Sequence, residues 1–152
     1  MKKFFKIITA VILIFPIAFY IGIVVVNNSI ANGIENNLLE YDLPQNTQLV
    51  DSISIASKLV GSGNGMQYMG SILVESDLTK DELYEHYSNE FDYIEVNEQT
   101  TNKLEFIDIG NYYFNKFDEE GTYYSVTCWD YDVIGRFGEN IATILDMDIR
   151  GH

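Results

Sequence analysis

Two histidines, one cysteine and 23 carboxylates are the side chains with which this chain could do acid, base or nucleophilic chemistry. A hydrolytic triad needs a base held beside a nucleophile. His86 stands next to Tyr87 in a segment where Leu83 and Tyr87 mark the buried face of a helix, so it points sideways or outward. His152 is at the end of the sequence, where side chains are seldom ordered. Zinc needs several His or Cys donors, and neither residue offers a second placed one. No serine lies in a G-x-S-x-G setting. Cys128, alone, excludes an internal disulfide and reads as a small buried hydrophobe in a strand. No catalytic residue, metal ligand set or cofactor is expected.

The carboxylates form two close pairs, Asp130/Asp132 and Asp146/Asp148, each with both acids on one face of an expected strand. Three chemistries fit such pairs. Two carboxylates across a cleft could hydrolyse a glycosidic bond, but a domain this small has little room for the cleft. Oxygen donors could hold calcium weakly. The plainest reading is a solvated acidic face with Arg136 and Arg150 as partners. Aromatic residues crowd the same half of the chain, and most should fill the core or pair across strands. Where they are exposed beside carboxylates they suit a protein or sugar surface, so Trp129, Asp130, Tyr131 and Asp132 are the candidate binding residues.

Gly61-Ser62-Gly63-Asn64-Gly65 invites comparison with a phosphate-binding loop. Its spacing is neither G-x-G-x-x-G nor a Walker loop, and a strand follows it rather than a helix. Asn64-Gly65 between two strands instead predicts a type I′ hairpin turn.

The elements that must position these residues follow from periodicity. Ile53, Ile55 and Leu59 alternate with Ser52, Ser54 and Lys58, the pattern of a half-buried strand, and a second strand is expected over Met66 to Glu75. Thr79 and Glu82 form a capping box with a Leu78/Leu83 staple, predicting a helix from Lys80 to about Asn89. Further strands are expected at Tyr93–Asn97, Lys103–Ile109, Tyr123–Asp130 and Thr143–Ile149, the last because Leu145, Met147 and Ile149 alternate with Asp146, Asp148 and Arg150. The fold class is α+β: an antiparallel sheet with one packed helix, in the order β-β-α-β-β-β-β, preceded by a transmembrane helix.

That preceding helix is the strongest feature of the sequence. Ile7 to Val26 is free of charge, and at about 1.5 Å per residue it is roughly 30 Å long, one hydrocarbon core. Lys2, Lys3 and Lys6 precede it, and no Lys or Arg follows until Lys58, which places the N-terminus in the cytoplasm and the rest outside. The divisions are therefore a basic tail over 1–6, a signal-anchor helix over 7–26, a stalk over 27–46 that can continue the membrane helix for a few turns, and an extracytoplasmic domain over 47–152. Ser29-Ile30-Ala31 offers the competing reading of a signal peptide cleaved before Asn32, although the apolar run is longer than an ordinary signal core. Residues 32–152 hold six basic and 23 acidic residues, a formal charge of −17, which repels phosphate backbones and excludes nucleic acid as a partner.

Three strings carry a resemblance: Pro44-x-x-Thr47, Gly63-Asn64-Gly65-Met66-Gln67-Tyr68, and Leu73-x-x-Ser76-x-Leu78-x-x-x-Glu82-Leu83-x-x-x-Tyr87. Over about 45 residues the chain resembles an uncharacterised family of small, N-terminally anchored extracytoplasmic proteins of low-GC Gram-positive bacteria. The resemblance implies an address and no catalytic residues. Together these readings give a membrane-anchored, non-enzymatic interaction domain with a protein or cell-envelope partner. The alternatives are a small envelope hydrolase using paired carboxylates and an immunity-type protein whose acidity masks a basic secreted toxin.

Overall fold

The computed structural model describes residues 2–63, 65–118 and 120–151. The expected turn at Asn64 and the terminal His152 therefore lie outside the described residues. Eight helices and strands can be named among those described: α1 (Lys2–Glu40), β1 (Thr47–Ser57), β2 (Gln67–Ser76), α2 (Lys80–Ser88), β3 (Ile94–Gln99), β4 (Tyr123–Asp130), α3 (Val133–Phe137) and α4 (Glu139–Leu145). The four strands make one antiparallel sheet in the order β1-β2-β4-β3. This is the α+β class that the periodicities predict, with a long apolar helix in front.

The pleat assigns each strand residue to one of two covered faces. Ile72, Val74, Tyr124, Val126, Ile94 and Val96 point toward the helices, where Leu83 and Tyr87 of α2 and Leu38 of α1 close over them. Ile55, Met69, Leu73, Tyr123 and Trp129 point the other way, under Leu104, Ile107 and Phe114. A third cluster joins Ile30, Ala31 and Ile34 of α1 to Ala56, Tyr68 and Leu145.

The capping box is complete. Thr79 Oγ1 accepts from the Glu82 N–H at 3.3 Å, and Glu82 Oε2 accepts from the Thr79 N–H at 2.8 Å. The Thr79 N–H first, and then the Thr79 hydroxyl, which donates to Glu82 Oε2 at 2.7 Å, hold the Glu82 carboxyl below its ordinary pKa. Leu78 packs beside Leu83 in the core, as a staple does.

Four expectations need correction. The last β1–β2 pair is Ser57↔Gln67, so the connection between the strands is longer than a two-residue turn. Gln67 Oε1 organises it by accepting the N–H groups of Leu59 and Val60, both at 2.8 Å. Residues 103–109 form no strand; Lys103 makes a single bridge to Tyr113. Leu104 and Ile107, three apart, are the buried residues there, and a loop layer is thereby pinned onto the second face of the sheet. Thr143–Ile149 is not a strand either, because Ala142 and Leu145 of α4 are the buried pair and Met147 and Ile149 are exposed. Their spacing of three is helical, and the alternation over 145–149 spans too few residues to outweigh it.

The fourth correction concerns the stretch expected as a stalk. α1 does continue into it, to Glu40, but as a packed element rather than a free stalk: Ile23, Asn27, Ile30, Ala31, Ile34 and Leu38 form one buried stripe at spacings of three and four along the helix. The stripe lies on β1 and β2 so closely that a Cβ on Gly70 would stand 2.3 Å from the Glu35 backbone nitrogen. Glycine is required there by close approach. N-terminal to this stripe the helix is bare: Val11, Ile12, Leu13, Ile14, Phe15 and Ile17 are all exposed. The structure thus contains one helix long and apolar enough to cross a membrane, and its far end is part of the folded domain.

Candidate functional site

A groove of about 730 Å³ opens where α1 leaves its apolar run. Val25, Val26, Ser29, Ile30 and Gly33 of α1 form one wall. Glu90, Phe91, Asp92 and Tyr93, between α2 and β3, form another, and Cys128, Asp130, Asp132, Arg136 and Phe137 complete it. The α1 side is mainly aliphatic, while the opposite walls bring four carboxylates and one guanidinium to the rim.

Of the four candidate binding residues, Trp129, Asp130 and Asp132 line this groove and Tyr131 does not. Asp130 ends β4 with its carboxylate largely buried and ion-paired to Arg136. Its Oδ1 also accepts the Asp132 N–H at 3.0 Å, and the Asp132 carbonyl accepts the Arg136 N–H at 3.0 Å, which starts α3. Asp130 therefore builds the turn that carries Arg136 and Phe137 to the groove, while the exposed Asp132 stays at its rim. The pleat sends the Trp129 indole into the second core, against Phe106 at 6.2 Å. Its buried Nε1 has no hydrogen-bond partner. Tyr131 stacks on Trp129 at 6.1 Å and meets Tyr93 edge-on at 5.1 Å, so two exposed phenols stand together beside the acidic rim.

Cys128 lines the groove as a free, half-buried thiol. Burial first, and then the charges of Asp130 and Asp92, push its pKa to about 11, so it stays protonated and a poor nucleophile at neutral pH. His86 belongs to a different place: its Nε2 bonds the Asp42 carbonyl at 2.7 Å, and its ring packs on Tyr41 and Tyr87. Its work is to tie the end of α1 to α2. Among the described residues, no group of three or more His, Cys, Asp or Glu is placed to hold a metal ion.

The second acidic pair is not a solvated face. Asp148 is fully buried beside α1, where Arg150 grips it through Nε and Nη2. Asn27 Nδ2 donates to Asp148 Oδ2 at 3.0 Å and to the Leu145 carbonyl at 3.1 Å, and Asn27 Oδ1 accepts from the Tyr68 hydroxyl at 2.8 Å. Arg150 Nη1 reaches Asn28 Oδ1 at 2.8 Å. Burial alone would raise the Asp148 carboxyl, but the combined bonds from Arg150 and Asn27 outweigh it and hold the group at about 2. Burial and the neighbouring aspartates push Tyr68 up. This satisfied polar cluster latches the C-terminal segment to α1 just past its apolar run. Asp146, the other member of the pair, accepts the Met66 N–H at 2.8 Å and braces the β1–β2 loop.

Arg136, Phe137, Asp92, Tyr93 and the α1 wall were not legible as site residues. The spacing Ile23, Asn27, Ile30, Ala31, Ile34 and Leu38, which runs across the boundary between the apolar run and the expected stalk, could have revealed the packed face of α1 that sets this wall beside the sheet. Compared with family models, with curated proteins and with solved structures, the chain matches none.

Proposed function

We propose that the chain is a single-pass membrane protein whose acidic domain stands on the extracytoplasmic side and binds a protein or envelope partner in the groove beside α1, without enzymatic activity. The observation that carries this reading is the composition of the groove: an aliphatic wall supplied by the anchor helix itself, faced by Glu90, Asp92, Asp130, Asp132 and Tyr93, with Tyr131 packed on Tyr93 outside it. Aromatic residues beside unneutralised acids favour a partner with a basic, partly apolar segment. Among the described residues that line the groove, Arg136 is the one cation opposing the rim acids, and it is taken up by Asp130. The protonated Cys128 thiol and the paired Asp130 suit binding better than bond cleavage.

Orientation rests on the three lysines before the apolar run, and the likeness of residues 44–87 to small anchored extracytoplasmic proteins agrees with it. An uncleaved anchor is supported by the latch. Cleavage after Ala31 would remove Asn27, Asn28, Ile30 and Ala31, and with them the partners of Tyr68, Asp148 and Arg150. The experiment is a photo-crosslinking residue placed at Tyr93 in the full chain in its own membranes, with one at Tyr84, exposed on α2 away from the groove, as control. The expected result is a discrete adduct at position 93, absent at 84 and weakened by Asp92→Asn with Asp132→Asn. Equal labelling at both positions, or an adduct indifferent to the acids, would contradict the groove as the binding site.

A further inference from the structure

The segment after β4 carries more apolar side chains than the fold buries. Ala142 and Leu145 of α4 are buried against α1 and the sheet. Phe137 at the end of α3 and Ile141 and Ile144 of α4, which flank that buried pair on the helix, are exposed, and Met147 and Ile149 follow with 56% and 69% of their surface free. Five large apolar side chains within 13 residues are too many to leave facing water without a reason.

Their height along α1 supplies the reason. The latch bonds of Asn27 to the Leu145 carbonyl and to Asp148, and of Arg150 to Asn28, fix this segment beside the first two residues after the apolar run. The fold also covers Ile23, three residues inside the run, while Ile21, Val25 and Val26 stay exposed around it. Tyr20, a turn further in, is half-covered and lies within electrostatic reach of Arg150. At about 1.5 Å per residue, Ile23 lies roughly 5 Å inside the end of the run. If α1 fills one hydrocarbon core, the segment beside Ile23 sits at that core's boundary, the depth at which amphipathic helices lie in a membrane.

We propose that α3, α4 and the 3₁₀ turn at Ile149–Gly151 form a collar seated in the outer membrane interface, with Phe137, Ile141, Ile144, Met147 and Ile149 in contact with lipid. The inference rests on the anchor reading and extends it: the domain is held against the bilayer by a second contact, so the groove opens at a fixed height above the lipid. The apolar end of the groove at Val25, Val26 and Phe137 then borders the acyl region, and its acidic rim faces water.

The test uses the full chain in phosphatidylcholine vesicles, with Cys128→Ala and one environment-sensitive dye on a new cysteine. Positions are Ile144→Cys and Ile149→Cys in the collar, Tyr84→Cys as the aqueous control and Leu13→Cys for the anchor. Ile149 is so exposed that its replacement removes no core contact. The expected result is blue-shifted emission and at least twofold quenching by nitroxide-bearing lipid at 144, 149 and 13, with neither at 84. Quenching at 13 but aqueous behaviour at 144 and 149 overturns the collar and leaves the anchor standing. Aqueous behaviour at all four overturns both. A blue shift at 144 that lipid nitroxide does not quench, and that grows with protein-to-lipid ratio, also overturns it, because the cover is then a second copy of the chain.

Discussion

Replacing Gly70 by alanine tests whether α1 is a structural part of the domain. Gly70 sits in β2 between Ser54 and Cys128, under the α1 helix. An alanine Cβ would come within 2.3 Å of Glu35 N, 2.6 Å of Glu35 Cα and 2.8 Å of the Ile34 carbonyl carbon. All three are backbone atoms, so no side chain can swing aside. The helix must retreat by about 1 Å to restore contact distances, and in a close-packed interior that movement also loosens Ala31, Ile34 and Leu38. Overpacking ordinarily costs about 1–3 kcal/mol. A clash of backbone on backbone belongs at the upper end, about 3 kcal/mol. Gly33→Ala is the matched control: nothing lies within 4 Å of the added carbon, and removing a glycine from a helix interior should stabilise by roughly 0.5–1 kcal/mol. Chemical unfolding of the full chain in mild detergent, followed by Trp129 fluorescence, measures both. Amide exchange over residues 30–38 should rise in Gly70→Ala alone. A Gly70→Ala protein as stable as the parent, with unchanged exchange in α1, would refute the packing of the helix on the sheet.

Two smaller perturbations probe other parts of the fold. Thr79→Ala should cost about 1 kcal/mol in the same unfolding assay, since the Glu82 N–H loses its acceptor; a neutral result would mean that the capping box does not hold the start of α2. Asp148 has its carboxyl at about 2 in the folded chain, below the ordinary value near 3.8, so its stabilisation is complete above about pH 4 and is lost as pH falls toward 2. The loss should be about 2 kcal/mol. Asp148→Asn should flatten the acid limb of a stability–pH curve between those values, and parallel limbs in mutant and parent would contradict the buried ion pair.

What was legible in the sequence was what local rules decide. Thr79, Glu82, Leu78 and Leu83 act within five residues of each other, and the helix they announce starts where they place it. The alternation in β1, β2 and β4 is likewise a property of each strand alone. What escaped depends on partners distant in the chain. Asn27 and Asn28 look like the beginning of a solvated stalk until Tyr68, Leu145, Asp148 and Arg150 meet them. Asp148 looks like the polar side of a strand because nothing nearby reveals that α1 will bury it. The candidate stretch Trp129–Asp132 was found by composition, but its roles divide: Trp129 is core, Asp130 supports a turn, Tyr131 pairs with Tyr93, and Asp132 is at the rim. The chain's pairing of Arg136 with Asp130 and of Arg150 with Asp148 agrees with the partners read from sequence, while the burial of both acids does not agree with a solvated face.

The central claim, an uncleaved α1 that spans the membrane and holds the domain outside, is tested most directly by the lysines already present. Intact cells with the outer face of the membrane accessible are treated with a membrane-impermeant amine reagent, and labelled positions in the recovered chain are read by peptide mass spectrometry. Lys80 and Lys116 are exposed on the domain, and Lys2, Lys3 and Lys6 precede the apolar run. The account predicts label at Lys80 and Lys116, with the Lys2–Lys6 region recovered and unlabelled. Label at Lys2–Lys6 with a protected Lys80 and Lys116 would invert the topology, and a recovered chain that begins at Asn32 would contradict the anchor.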